Sequence, residues 1–233
     1  MKTNTIYSAL NSLGQECAVQ FQYGSNNSKT GDGVQIFIIP MKWVIEGKSA
    51  MHDDSASCMD CIHGKNANRT CYVRKGQSEM GLKSKVSSLH KHYTNGTLVI
   101  QPIELATAEL PKIKGNYVRF GAYGEPIVLG ESLTKAICEA SATWTGYTHQ
   151  WRNPKYQWAK KYFMASADNE RLGEIAQGMG WRTFRVRMAN ESAMPREVIC
   201  PASKEGNRKA TCNTCGLCKG ASIKAKSIVI IKH

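Results

Sequence analysis

Seven of the nine cysteines fall into two tight clusters, and their spacing constrains the chain more than any other feature. The C-terminal cluster is Cys200-x11-Cys212-x2-Cys215-x2-Cys218, and the N-terminal one is Cys58-x2-Cys61-x9-Cys71. Cys17 and Cys138 stand alone. The N-terminus reads MKTNTIYSALNSLGQ, with no apolar core after Lys2, so no secretory leader is expected. The longest apolar runs, Val34–Pro40 and Ser227–Ile231, are strand-sized, far from the roughly 20 residues of a membrane span. The expected compartment is the cytoplasm, with no membrane partner. Disulfides are disfavoured there, and dense cysteine spacing reads as metal binding or catalysis. The odd cysteine count points the same way. Cys138 lies in the apolar-periodic segment Leu133–Ala142 and is expected to be a buried free thiol.

In the C-terminal quartet, each CxxC step lets two thiolates reach one centre across a tight turn. Cys200 closes the set to four, which fits zinc or a 4Fe–4S cluster. The overlapping CxxCxxC leans toward iron–sulfur, because zinc sites more often pair two separated CxxC units. Gly216 and Gly220 supply backbone freedom. Lys204, Arg208, Lys209 and Lys219 are expected to favour thiolate over thiol. The N-terminal set offers only three thiolates. That leaves one coordination position open, as a catalytic metal requires. His63 or His52 can instead close it as a Cys3His zinc site. Lys65, Arg69, Arg74 and Lys75 place much of the positive charge in this loop.

Lys and Arg number 31 against 18 acids, a net charge of +13. Such an excess favours anionic partners: nucleic acid, a nucleotide or a phosphorylated substrate. At 233 residues and 42% hydrophobic, the chain can bury a sizeable core without crosslinks.

Residues 1–33 read as an N-terminal segment, with a short helix over Ile6–Leu13 and a loop at GSNNSKTGDG. Val34–Pro40 is a strand, and Gln77–Tyr93 a helix capped by Ser78. From residue 97 strands and helices alternate. Thr97–Gln101, Tyr117–Phe120, Thr143–His149, Lys161–Ala165 and Thr183–Val186 read as strands. Ile103–Ala108, a segment from Ser132 to Ala142, Pro154–Lys160 and Glu170–Met179 with Asp168 as its cap read as helices. Glu197–Cys200 and Ser227–Ile231 complete the strands. This alternation predicts an α/β fold with mostly parallel strands, best described as a partial (β/α) barrel over residues 34–195. Residues 196–233 are expected to form a cysteine-rich metal-binding extension that returns to the sheet. Neither GxGxxG nor a P-loop occurs.

In parallel α/β sheets the chemistry sits at the C-terminal strand ends. Those ends here carry Gly121-Ala-Tyr123-Gly124-Glu125-Pro126, then His149-Gln-Trp151-Arg152, then Ser166-Ala-Asp168, and Arg185 with Arg187. One rim would gather them. Tyr123, Trp144, Tyr147 and Trp151 can stack on a base.

A three-cysteine loop after a strand, with Tyr72 beside its last cysteine and a later strand ending in Gly-x-Gly-Glu-Pro, resembles the radical S-adenosylmethionine enzymes. Gly146–Trp151 and Cys200–Ser203 are also similar to segments of phage-encoded proteins with radical-SAM-like barrels. The spacing here, x2 then x9, differs from that family's usual x3 then x2. The resemblance implies a 4Fe–4S cluster on Cys58, Cys61 and Cys71, with one iron open to S-adenosyl-L-methionine. It implies that Glu125 holds the methionine ammonium through a charge-assisted hydrogen bond. Gly121, Tyr123, Gly124, Ser166, Asp168 and Arg185 would complete the cofactor site. His149, Trp151 and Arg152 would face the substrate. The quartet would hold an auxiliary centre, making one or two clusters per chain. The implied setting is the cytoplasm of a bacterial host. Two rivals stay open: a non-enzymatic zinc-knuckle nucleic-acid-binding protein, and a phage interaction protein that inhibits a host-defence enzyme.

Overall fold

The computed structural model describes residues 4–48, 53–64, 71, 73, 76–220 and 225–231. His52, Lys65, Arg69, Tyr72, Arg74 and Lys75 lie outside the described residues.

The chain opens with three strands, β1 (Thr5–Leu10), β2 (Glu16–Asn27) and β3 (Gly31–Pro40). Helices α1 (Met41–Glu46), α2 (Ser55–Cys58) and α3 (Gly76–Thr94) follow. Then come β4 (Val99–Pro102), a 3-10 helix at Ile103–Glu109, α4 (Leu110–Ile113) and β5 (Tyr117–Tyr123). A 3-10 turn at Pro126–Leu129 leads into α5 (Gly130–Ala140). Next are β6 (Thr143–Thr145), β7 (Tyr147–Thr148), 3-10 turns over Gln150–Arg152 and Pro154–Lys161, and β8 (Met164–Ala167). The last elements are α6 (Glu170–Gly178), β9 (Thr183–Arg187), β10 (Glu197–Ile199), α7 (Cys212–Cys215) and β11 (Ser227–Ile231).

These strands form two sheets in a mixed α/β fold. One runs β4-β1-β2-β3-β5-β6 and the other β10-β11-β9-β8-β7. Among the described residues only the β1–β2 and β2–β3 pairs are antiparallel. Only Gly146 separates β6 from β7, so one segment feeds both sheets. A Cβ on Gly146 would lie 2.4 Å from the Phe163 ring. The chain crosses there because no side chain occupies the crossing.

The first sheet is covered on both faces. One face carries Tyr7, Val19, Phe21, Ile36, Ile38 and Phe120 into the main core. The other carries Ile6, Ala18 and Ile39 against Trp43, Leu82, Val86 and Leu89 of α1 and α3. The expected helix over Ile6–Leu13 is therefore a strand. Ile6 and Tyr7 are both buried, on opposite faces, as in a central strand covered twice. The expected loop GSNNSKTGDG is mostly hairpin: β2 reaches Asn27 and β3 starts at Gly31. Its tip is an Asx turn, in which Asn27 Oδ1 accepts from Lys29 N and Thr30 N. The boundary expected between residues 33 and 34 falls inside β3. Ser78 and Ser132 lie within their helices rather than at the caps. In the second sheet, β11 inserts between β9 and β10, so the chain after residue 196 contributes two of five strands.

Candidate functional site

The ends of β5, β7 and β8 meet the first cysteine loop. β5 bulges against β3: Gln35 pairs with Arg119 but Phe37 pairs with Tyr123. Gly121 at φ +60 takes up the bulge. Gly124 at φ +82 turns the chain out of the strand, and a Cβ there would lie 2.3 Å from Ile38 O. The turn presents the Glu125 amide, which donates to Ser57 O at 2.7 Å. The Gly-Ala-Tyr-Gly-Glu strand end and the helix carrying Cys58 are thereby joined through backbone.

Other bonds fix α2 from beneath. Asn11 Nδ2 donates to Ala56 O at 2.9 Å, and the Cys17 thiol to the same oxygen at 3.0 Å. Burial, with help from Glu16, pushes that thiol up to about 12. The isolated Cys17 is thus a neutral strut under the cysteine loop. After α2 the chain turns on itself, with Cys61 N donating to Cys58 O at 3.0 Å. Cys58 and Cys71 are half-buried against one apolar cluster that includes Tyr123. Burial, then the Asp54 carboxylate and Cys61, push the Cys58 thiol well above its ordinary value, and Cys71 adds to the effect. Cys61 and Cys71 are therefore each near enough to Cys58 to oppose its thiolate. A bound cationic centre would remove that repulsion.

Glu125 is buried, and both its oxygens are engaged. Oε2 accepts from Thr148 Oγ1 at 2.7 Å and Oε1 from His149 N at 2.9 Å. It therefore fixes the turn after β7. His149 Nδ1 lies 3.4 Å from Glu125 Oε1 and 3.5 Å from Cys61 Sγ. Gln150 Nε2 donates to Asp60 Oδ1, a second link to the loop. On the far side of the imidazole, His149 Nε2 lies 3.6 Å from Asp168 Oδ1. The same oxygen lies 2.6 Å from His63 Nε2. Burial disfavours charge on His149, but the nearby Asp168 carboxylate, with Cys61 and Glu125 beside Nδ1, outweighs it and holds the imidazole well above its usual value. Burial likewise opposes ionisation of Asp168, yet His149 and His63 hold its carboxyl well below the usual range. Asp168 is free for this because Asn169, not Asp168, caps α6 by accepting from Leu172 N at 2.9 Å.

Several expected rim residues serve packing instead. Arg185 is fully buried. Its Nε and Nη2 bind Glu197 at 2.9 and 2.8 Å, so no guanidinium is offered to a cofactor. Trp151 is 1% exposed and donates Nε1–H to Ser166 O at 3.0 Å, which removes its face from substrate stacking. Arg152 lies exposed over that indole, 5.0 Å from its centroid. Tyr123 is buried against Trp43, with ring centroids 5.9 Å apart. Its hydroxyl faces Cys58 and Ser57 without a regular hydrogen bond. Trp144 donates to Tyr162 O at 2.7 Å, and Tyr147 packs on Phe184 at 4.5 Å.

Cys212 and Cys215 of the quartet lie at the other end of the first sheet, beside the starts of β3 and β6. Cys200, Cys212, Cys215 and Cys218 line one small cavity with Thr145, Ala202 and Ile228. Helix α7 places Cys212 and Cys215 one turn apart. Thr211 and Thr214 form a capping box at its start, and Gly216 at φ 61 ends it. The turn docks on the β2–β3 hairpin: Cys212 N donates to Lys29 O at 3.1 Å and Asn213 N to Thr30 O at 3.0 Å. Arg182 ties the exit, with Nη2 donating to Leu217 O at 2.7 Å and Lys226 O at 2.6 Å. Gly31 and Thr143 mark strand starts beside Cys212–Gly216, Cys200 follows the end of β10, and Glu125, His149 and Asp168 follow the ends of β5, β7 and β8. Cys212 and Cys218 act on Tyr117 at the start of β5 and Cys58 on Tyr123 at its end, so these members of the two sets flank opposite ends of that strand. Burial pushes Cys218 up to about 12, although the Tyr147 hydroxyl works in the opposite direction. Burial also raises Cys212, against Arg119 and Lys29. Arg119 and Lys29 are thus cations beside Cys212, and Arg182 is one beside Cys218. Lys219 sits over Trp144, 4.9 Å from its ring.

All nine cysteines are free, and Cys138 is buried as expected. Among the described residues no helix is long and apolar enough to cross a membrane. The fold and site define a mixed α/β protein with one cysteine set beside the ends of β5 and β7 and another docked on the β2–β3 hairpin. No protein-family model, curated protein or solved structure matches this chain.

Proposed function

We propose that this chain is an iron–sulfur protein of the radical-SAM-like kind, with its two sheets acting as a partial barrel. The observation that carries the reading is the Glu125 N–H to Ser57 O bond. It joins the three-cysteine loop to the Gly-x-Gly-Glu strand end at the C-terminal end of parallel strands, where α/β folds place chemistry. Cys58, Cys61 and Cys71 would hold a 4Fe–4S cluster, and their free thiols, with Cys61 and Cys71 both acting on Cys58, fit that role. The bound cluster and S-adenosylmethionine would supply reductive cleavage of a sulfonium. The chain's own residues position and shield: Glu125 orients the His149 turn, Tyr123 closes the apolar side of Cys58, and Asp168 and His149 line the polar side.

The net charge of +13 supports an anionic substrate, a nucleic acid or nucleotide. Cys212 and Cys215 are knitted to the β2–β3 hairpin at the start of β3, and Arg182 holds the exit, which supports a structural centre there more than a second reactive one. Incubation of the reduced holoprotein with S-adenosylmethionine tests the proposal. It predicts 5′-deoxyadenosine with wild type and none with Cys61→Ala. No product from a cluster-loaded wild type would sink the enzymatic reading.

A further inference from the structure

We propose that His63, His149 and Asp168 form a mononuclear site for a divalent transition metal such as zinc or ferrous iron, distinct from both cysteine sets. The three ligand atoms, His63 Nε2, His149 Nε2 and Asp168 Oδ1, all lie within 4.8 Å of one another. Two edges of that triangle are 2.6 and 3.6 Å. A metal about 2.0–2.1 Å from each ligand holds them roughly 3 Å apart, which these edges bracket.

A second observation points to a ligand. His149 Nε2 is buried with no hydrogen-bond partner, and its 3.6 Å approach to Asp168 is too long for one. A buried ring nitrogen aimed at a carboxylate and a second imidazole is what a metal ligand looks like before its ion arrives. The outer contacts fit as well. Metal-bound histidines usually give their other nitrogen to a carboxylate, which fixes the tautomer and the ring. His149 Nδ1 faces Glu125 Oε1 at 3.4 Å, and Thr148 and the His149 amide hold that carboxylate in turn.

Two imidazoles and one carboxylate match the open facial set of non-haem iron and catalytic zinc sites rather than the all-oxygen sets of calcium or magnesium. The His63 side chain is 29% exposed, so the remaining positions open toward solvent. Because Cys61 Sγ meets the opposite nitrogen of His149, one imidazole would stand between the cysteine loop and this ion. The inference does not depend on what the cysteines bind.

The test uses the full chain with its cysteine sets loaded as purified, stripped of loose metal and titrated with cobalt(II). The site predicts about one further cobalt per chain, with d–d bands but no thiolate charge-transfer band. Asp168→Asn and His63→Gln should abolish that equivalent, and Glu125→Gln should weaken it about 10–100-fold. His63→Gln changes a partly exposed loop residue, and an unchanged urea-unfolding midpoint shows that the fold survives. No further equivalent in wild type, a thiolate band on the added cobalt, or undiminished binding in both ligand variants would each overturn the proposal.

Discussion

Gly124→Ala isolates the junction on which the site depends. Gly124 sits at φ +82, and an added Cβ would meet Ile38 O at 2.3 Å and Ile38 Cβ at 2.8 Å. The left-handed backbone alone costs an L-residue about 1–2 kcal/mol. Forcing a methyl into backbone adds overpacking of about 1–3 kcal/mol, because the carbonyl of a central strand has no rotamer to escape into. The expected cost is the sum, about 2–5 kcal/mol, a large share of the roughly 5–15 kcal/mol that holds a domain together. Gly96 is the control, with φ +66 and nothing within 4 Å of its added Cβ. Gly96→Ala should show the backbone part alone, about 1–2 kcal/mol. Both substitutions stiffen the unfolded chain equally, so that contribution cancels in the difference. Urea unfolding at constant m-value measures both. The reasoning is refuted if Gly124→Ala costs no more than Gly96→Ala. Relief of the clash must also push Glu125 away from Ser57, so the visible spectrum of the reconstituted N-terminal cysteine set should weaken in Gly124→Ala alone.

Three further outcomes follow from the geometry. Glu197→Gln leaves the fully buried Arg185 without its carboxylate and should cost about 3–5 kcal/mol by urea unfolding, whereas Arg185→Met with Glu197→Met should recover much of that. Asn169→Ala removes the α6 cap and should cost about 0.5–2 kcal/mol, while Asp168→Ala leaves that cap intact and should change metal binding instead. Glu109 accepts from Tyr7 at 2.7 Å, Tyr23 at 2.5 Å and Lys112 at 3.0 Å. Burial opposes its charge, but these bonds outweigh burial and lower its carboxyl below the ordinary value. Its contribution is therefore complete above the unfolded carboxyl range of about 4.3 and is lost as pH falls through the lower folded value. Glu109→Gln should be less stable at neutral pH and lose stability less steeply below about pH 4. Equal acid slopes for the two proteins would disprove that assignment.

The elements legible in the sequence were those whose pattern fits only one burial. Val34–Pro40 and Ser227–Ile231 are continuous apolar runs bounded by turn residues, and both are strands. Gly121 and Gly124 marked a strand end because only glycine holds φ of +60 and +82 cheaply there. Ile6–Leu10 misled because a strand buried on both faces has no alternation, and its apolar residues also fit a helical stripe. Asp168 and Asn169 are adjacent and both suit a cap, so the sequence could not say which would cap α6 and which would turn inward. Arg185 and Trp151 lay at the expected rim by chain position, but side-chain direction along a strand or turn is set by packing. His63 is the residue whose role was least visible. Beside three cysteines it reads as their fourth ligand, yet its partner Asp168 is 105 positions away. The x-His spacing after Cys61 carries no trace of that contact.

The most direct test of the account is the metal content of protein purified without oxygen from iron-replete cells. Iron, zinc and the visible spectrum would be measured for wild type and for Cys58→Ala/Cys61→Ala/Cys71→Ala. The account predicts a brown wild type that loses about four irons per chain in the triple variant while the quartet keeps its own metal. A colourless wild type loaded with zinc, or iron unchanged by loss of the three cysteines, would contradict it.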